Sequence, residues 1–418
     1  METDFLTAKP SSLQSPIYLW WRSLDRLQRS FLLLALVRVV IAVLFVAANI
    51  PPLDLRYRWY LHHGGDQQEY LDLARSLAAG SPRPSLVGLG QALMMLPWVI
   101  LIQPSHYWDI VVPLVTINGF ILGGLSVPLL GELARRITRR DGTALLAALV
   151  WTFLPTLTYY GFFWHFDPAI MRSSYVPVVG WLNGLSDGPT TFIIMIGAYL
   201  LARGIDEGEM PRRRLIGFGV AIGLAVTWRV HIAGIAALWF LYILIAYGWR
   251  SLGLVVLGAV IAYLPQAWYN VAVFHFPVTT GYISVYSTGH GLERVLWMLR
   301  YNLPFHPQYW VDLWAHHIAR RMWLLVPLSA FLAFGLYAMV ALRQRRGWQA
   351  VAVLFGSPLA YLIPMTAAWP FRADVLRFSL PALPFLIIIG IYALGIAWQQ
   401  LRCTGLRRAK PLDIPSQG

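Results

Sequence analysis

Apolar runs long enough to cross a bilayer recur from residue 31 to residue 398, and no polar block between them could form a separate domain. The first, "FLLLALVRVVIAVLFVAANI" (31–50), carries a single charge. A helix needs about 20 apolar residues to traverse the hydrocarbon core. Candidate spans are 31–50, 110–131, 143–159, 185–202, 215–230, 232–248, 252–273, 323–342, 349–367 and 378–398. Charged residues are 12% of the 418, about half the roughly 25% of a soluble domain. The expected fold is all-α: a polytopic integral membrane protein of about ten transmembrane helices with juxtamembrane helices in its outer loops. The domain plan is a cytosolic tail (1–30), one membrane domain (31–398) and a basic cytosolic tail (399–418). Outer loops fall at 51–109, 160–184, 274–322 and 368–377. The single cysteine, Cys403, rules out an internal disulfide and a thiolate metal cluster.

Charge placement orients these spans. "LVGLGQALMMLPWVILI" (86–102) is apolar but short and interrupted by glycines and a proline, and is read as re-entrant or surface-lying. With that segment left out, the clusters Arg22/Arg26/Arg29, Arg135/Arg136/Arg139/Arg140, Arg203 with Arg212–Arg214, Arg250, Arg343/Arg345/Arg346 and Arg402/Arg407/Arg408/Lys410 share one side. Cytoplasmic loops carry the Lys/Arg excess, so both termini are expected inside, in a plasma membrane of bacterial kind. All 10 histidines then lie outside or at an outer helix end. So do Asp66, Glu69, Asp72, Asp167 and Asp187. Any chemistry belongs to the extracytoplasmic face. The net charge of +14 is explained by topology rather than by nucleic acid, which is not an expected partner.

The outer segment "HHGGDQQEYLDLARSLAAG" (62–80) predicts a short helix at the membrane surface. Asp66 stands at an N-cap position, with Glu69 three residues on at capping-box spacing. Tyr70, Leu73, Ala74 and Leu77 recur at helical spacing, Asp72 and Arg75 share the polar side, and Gly80 and Pro82 stop the run. Asp66 has two readings, a helix cap and a reactive carboxylate beside a glycine pair, and they are compatible.

"GDQQEYLDLARSLAAG" resembles the first outer loop of the GT-C membrane glycosyltransferases. It is most similar to the protein-O-mannosyltransferase and lipid A aminoarabinose transferase group, which places an Asp before a "YxxxAxxLxxG" pattern. "RPSL" (83–86), "GLSDGPTTFIIMIGAYLLARG" (184–204), "GLAVTWRVHIAGIAAL" (223–238) and "LRFSLPALPFLIIIGIYAL" (376–394) resemble further family segments in the family's order. Gln67 stands where the family often has Glu, so a two-acid pair is not expected there.

The resemblance implies inverting transfer of a sugar from a polyprenyl-phosphate donor to a lipid, glycan or protein acceptor at the outer face. Three tasks follow. A base must take the acceptor hydroxyl's proton, and Asp66 is the choice. A second acid, Asp187, matches the family's span-opening acid, and as an N-cap to that span it has an equally good structural reading. Fixed cations must meet the negative charge that develops on the departing phosphate. Arg83, Arg229 and Arg377 match motif positions, and Arg172 lies in the second outer loop. Snorkelling to the interface is the alternative for each. Glu69, Tyr70 and Asp167 complete the expected substrate-binding set. Arg38, about two turns inside the first span, is unassigned; it marks function or snorkels inward.

Outer loop 274–322 predicts a second surface helix from Leu292, Val295, Leu296 and Leu299. Trp310 and Trp314 read as interface aromatics before sugar platforms. His306, His316 and His317 do not follow zinc spacing, so no metal site is expected. No cofactor is required, although a divalent cation held by carboxylates is known among GT-C relatives. The rival classes are a transporter or flippase of lipid-linked substrates and a non-catalytic lipid-binding relative. P-loop, GxSxG and HExxH patterns are absent from the sequence.

Overall fold

A computed structural model describes residues 21–49, 66–158, 179–182, 184–278, 293, 296, 322–368 and 379–408. Among them the chain is helical, without strands. The long elements are α1 (Arg26–Asn49), α2 (Asp66–Ala78), α3 (Leu89–Ile102), α4 (Gly123–Thr138), α5 (Asp141–Thr158) and α6 (Asp187–Glu207). They continue with α7 (Arg212–Trp228), α8 (Ala233–Phe274), α9 (Met322–Val351), α10 (Ser357–Ala368) and α11 (Leu383–Arg408). Among the described residues, five stretches are long and apolar enough to cross a membrane: Arg26–Ala47, Tyr107–Thr138, Asp187–Glu207, Val230–Phe274 and Leu383–Arg402. Their lipid-facing residues are apolar, as in Leu36, Leu44, Ile245 and Leu264, all more than half exposed.

Side-chain contacts fix the direction of each helix. Asp25, just before α1, meets Arg135 at 2.7 Å. Phe31 abuts Gly131 and Val39 abuts Gly124, so α1 and α4 are antiparallel. Arg135 also meets Asp141 at 3.2 Å where α5 begins, and Trp151 Nε1 donates to Ser126 Oγ at 2.8 Å on the way back. Arg139 beside Asp206 at 2.9 Å brings the last turns of α4 and α6 to the same end. Arg346 donates to the carbonyl of Arg136 and to Asp206 there as well. One end of the bundle is therefore built from paired arginines, and it is called the basic end below.

Two single glycines reverse the chain at that end. Gly248 (φ 78°, ψ 179°) and Gly347 (φ 78°, ψ 176°) occupy a backbone region that is essentially closed to other residues. The first half of α8 runs beside α6, with Trp239 against Gly197 and Tyr247 against Gly204, toward the basic end. The second half runs away beside α7, with Val255 against Gly219 and then Ala259 and Ala262 against Gly223. A Cβ on Gly219 would stand 2.0 Å from the Val255 carbonyl oxygen, and one on Gly258 2.3 Å from that of Ile216. Without an apolar driving force between helices in lipid, such close backbone contact is what holds them together. The reversal at Gly248 thus splits α8 where the sequence predicts two spans.

Helix α3 does not cross the bundle. Its 14 residues span about 21 Å, short of a hydrocarbon core of about 30 Å. Gly88, at its start, lies against the carbonyls of Thr227 and Trp228. Just past its end, the Pro104 carbonyl accepts a hydrogen bond from Arg75 Nε at 3.1 Å. Both termini rest on the end opposite the basic one, and Ile100, Leu101 and Ile102 remain exposed at 59%, 75% and 44%.

Two apolar cores divide the interior. The larger packs α4 to α11 along their length, around Trp151, Phe218, Trp239, Tyr361 and Phe385. The smaller lies at the far end and joins α2 and α3 to Tyr107, Leu182, Leu185 and Tyr269.

Candidate functional site

The smaller core assembles the residues singled out by sequence. Among the described residues α2 carries Asp66 and Glu69 in its first turn, and it ends before Gly80 (φ 68°). Tyr70, Leu71, Leu73 and Ala74 form its buried face, so the opposite face carries the charges. On that face Arg75 meets Asp72 at 3.3 Å. Arg83 reaches back from the following loop to Glu69 Oε2 at 2.8 Å and Asp72 Oδ2 at 3.5 Å. The Arg83 backbone is fixed independently, because Tyr269 Oη donates to its carbonyl at 2.9 Å. Tyr70 is 3% exposed and packs as a core residue. The sequence expected it to touch substrate; here its ring lies on the buried face of α2.

Gln91 ties this loop to the helices behind it. Wholly buried, it donates to the Gly184 carbonyl at 2.6 Å and accepts from Trp228 Nε1 at 3.3 Å. Gly88 and Gly90 allow the approach: a Cβ on Gly90 would stand 2.3 Å from the Trp228 ring. Gly184 itself has φ 69° and faces the Tyr107 hydroxyl, so a side chain there would be strained and obstructed. One amide side chain thereby links the residues just before Asp187 to the residue just before Arg229.

Asp187 and Arg229 form an ion pair at the mouth of α6 and α7, with 0% and 7% of their side chains exposed. Both of the readings made from sequence are altered by this contact. Arg229 was expected to face a phosphate, and Asp187 to serve as a second acid of the site or as a cap. They neutralise one another in a buried setting, where each charge needs the other. Behind them, Gln266 accepts from the Leu89 amide at 2.9 Å and donates to Asn270 Oδ1 at 2.8 Å, while Asn270 Nδ2 reaches the Pro277 carbonyl at 2.9 Å. Sequence reading missed Gln91, Gln266 and Asn270. Their signal was available: amides inside apolar stretches, the last two at i,i+4 spacing on one helix face.

Arg38 is neither at this site nor snorkelling. It is 6% exposed, bonds to the Trp151 carbonyl, and sits 5.2 Å and 5.5 Å from the rings of Trp151 and Trp181. The two rings meet edge to face at 6.3 Å and hold the guanidinium within the bundle. Asp167, Arg172, Arg377, the histidines at 306, 316 and 317, Trp310 and Trp314 lie outside the described residues. The second surface helix falls there too, apart from positions 293 and 296. Among the described residues no three His, Cys, Asp or Glu side chains are grouped as a metal would need.

No family model and no curated protein sequence matches the chain. Among solved structures it is similar to the oligosaccharyltransferase of Archaeoglobus fulgidus in the apo form. The TM-score is 0.50 at 14% identity, over 93% of this chain and 52% of that one. It is also similar to archaeal oligosaccharyltransferase AglB from Archaeoglobus fulgidus in complex with an inhibitory peptide and a dolichol-phosphate. Here the TM-score is 0.52 at 13% identity, over 97% of this chain and 53% of that one. The likeness is one of fold. The chain spans about half the length of the solved proteins it matches.

Proposed function

We propose that the chain is a GT-C-type membrane glycosyltransferase that moves a sugar from a polyprenyl-phosphate donor to an acceptor hydroxyl at the extracytoplasmic face. The observation that carries this reading is the joining of the α2 loop to the Asp187–Arg229 pair through Gln91, at the end opposite the arginine clusters. The positive-inside rule supports placing that end outside. The similarity of fold to an oligosaccharyltransferase, solved once with a dolichol-phosphate, supports a lipid-linked donor.

In the proposed reaction the acceptor oxygen attacks the anomeric carbon, the bond from that carbon to the phosphate oxygen breaks, and the configuration inverts. Asp66 takes the acceptor's proton, and polyprenyl phosphate departs with the bonding pair. Arg83, half-exposed and steered by Glu69 and Asp72, meets the negative charge that grows on the phosphate. The Asp187–Arg229 pair carries no net charge, so its role is to hold the site in place rather than to bind phosphate. Arg172, Arg377 and Asp167 stay as further candidates on the outer loops.

The test compares lipid-linked sugars and envelope glycans in cells with and without the protein, beside Asp66→Ala and Asp66→Asn. A product lost with the protein and with both variants supports the assignment. Full activity in both variants removes Asp66 as the base. Labelling single cysteines at positions 66 and 344, with Cys403 replaced, should show opposite accessibility.

A further inference from the structure

Near the end of α8 the stretch "YLPQAWYNVAVF" (263–274) puts polar groups on one face and apolar groups on the other. Leu264, Trp268 and Val271 are 55%, 59% and 49% exposed and face lipid. Gln266, Tyr269 and Asn270, at i, i+3 and i+4, are buried on the opposite side. That buried face docks the loop "RPSLVGL" (83–89) at both of its ends. Gln266 Oε1 accepts from the Leu89 amide at 2.9 Å, and Tyr269 Oη donates to the Arg83 carbonyl at 2.9 Å. The Tyr269 ring is 1% exposed and meets Phe274 edge to face at 5.9 Å, so packing sets the direction of its hydroxyl. From the other side, Ser76 Oγ of α2 accepts from the Arg83 amide at 3.4 Å. The main chain of Arg83 is thus pinned between α2 and α8, and Pro84 after it keeps it extended.

The guanidinium is held less completely than the backbone. Only Nη2 reaches the acids of α2, Glu69 at 2.8 Å and Asp72 at 3.5 Å, and Nε finds no hydrogen-bond partner among the described residues. The two carboxylates aim the side chain without using up its donors. Its distance from a ligand is therefore set by the main chain that carries it, and the Tyr269 hydroxyl is the contact that ties that main chain to the helix bundle. Position matters steeply here: a misplacement of about 1 Å at a reacting centre costs about a hundredfold in rate. We propose that Tyr269 is a positioning residue for sugar transfer, its hydroxyl setting the place of Arg83 beside the departing phosphate. This rests on the proposed function, in which Arg83 meets the charge that grows on that phosphate.

The experiment is a double-mutant cycle on the full chain in membrane vesicles, with Tyr269→Phe, Arg83→Gln and the two together. The donor supplied is the lipid-linked sugar fraction extracted from cells that lack the protein, added at graded concentrations. Tyr269→Phe removes one oxygen and keeps the packed ring, and it should lower the apparent kcat about threefold to tenfold with KM nearly unchanged, a smaller loss than that of Arg83→Gln. In the Arg83→Gln background it should cost nothing further, because residues that act through one another are not additive. Hydrogen exchange over residues 80–90 should be faster in Tyr269→Phe, and exchange in α5 should be unchanged. Undiminished kcat in Tyr269→Phe beside an impaired Arg83→Gln overturns the positioning role and leaves the proposed function standing. Losses that multiply in the double variant, or a lowered kcat with unaltered exchange over 80–90, show that the hydroxyl acts elsewhere and overturn it as well. Full activity in Arg83→Gln removes Arg83 from the reaction, and this inference falls with it. Should Tyr269→Phe not fold, Ser76→Ala releases the same main chain from the α2 side, and an unaltered kcat there overturns the dependence on the placement of Arg83.

Discussion

The two ends of the bundle use the same chemistry, arginine with aspartate or glutamate, in opposite ways. At the basic end the pairs are many, partly exposed and shared: Asp206 alone serves Arg136, Arg139 and Arg346. At the other end Asp187 and Arg229 form a buried ion pair at the mouths of two helices. The difference follows from solvent. Exposed pairs are screened and contribute little each, so redundancy costs little and topology is what they encode. A buried pair has no substitute for either partner, so it can fix a geometry but tolerates no loss.

The sharpest way to break this contrast is Asp187→Ala, which removes the buried carboxylate that Arg229 faces. Loss of one partner of a buried pair costs about 3–5 kcal/mol. A large fall in thermal stability of the detergent-purified protein is expected, with much of it restored by the double change Asp187→Leu, Arg229→Met. If the single variant melts like the parent, water reaches the pair and the contrast fails.

Next in size is Gly223→Leu. A side chain there meets the Ala259 carbonyl, 2.3 Å from the Cβ position, and must push α7 and α8 away from each other. Overpacking of this kind costs about 1–3 kcal/mol. Gly253→Leu has nothing within 4 Å of its Cβ and should leave the melting temperature nearly unchanged.

Smaller effects separate stability from chemistry. Arg83→Gln breaks contacts whose side chains are 42%, 30% and 31% exposed, so its stability cost should stay below about 1 kcal/mol. Sugar transfer should nonetheless fall more than about tenfold, because a fixed cation at a developing charge contributes more than its ground-state pairing. An equal, slight loss in both measurements would make Arg83 a structural residue.

The smallest effect is with pH. Backbone and side-chain hydrogen bonds, led by the Gln28 amide, hold the Asp25 carboxyl below its ordinary value of 3.8. A carboxylate lowered in the folded state adds stability above its unfolded value, and that stability is lost as pH falls through the folded value. Melting temperature should be flat from neutral pH down to about 4 and decline below it. Asp25→Asn should flatten some of that decline.

How much of this was legible beforehand depends on the range of the interaction involved. The membrane class, the split of α8 near residue 248, the helical run of α2 up to Gly80 and the non-crossing of α3 all follow from local pattern. Apolar length, N-cap spacing and the distribution of arginines are each readable within a few turns of chain. Tyr70 was placed on the apolar side of its helix by the same periodicity, and it is buried there. A single sequence shows that a face is apolar but not whether substrate or protein covers it.

Pairing across the fold was not legible. Arg38 shows the reason: sequence alone showed its depth, and depth suggested snorkelling. Its actual partners, Trp151 and Trp181, are more than a hundred residues away. Asp187 and Arg229 each had a sensible role by itself, and only the approach of α6 to α7 cancelled their charges. Gln91 looked like a stray polar residue until Gly184 and Trp228 were seen to meet on it. By itself the sequence determined that this chain lies in a membrane and which of its ends is basic. The tertiary structure decided which charges are spent on each other and which are left for a ligand, because that depends on distances between segments no local pattern encodes.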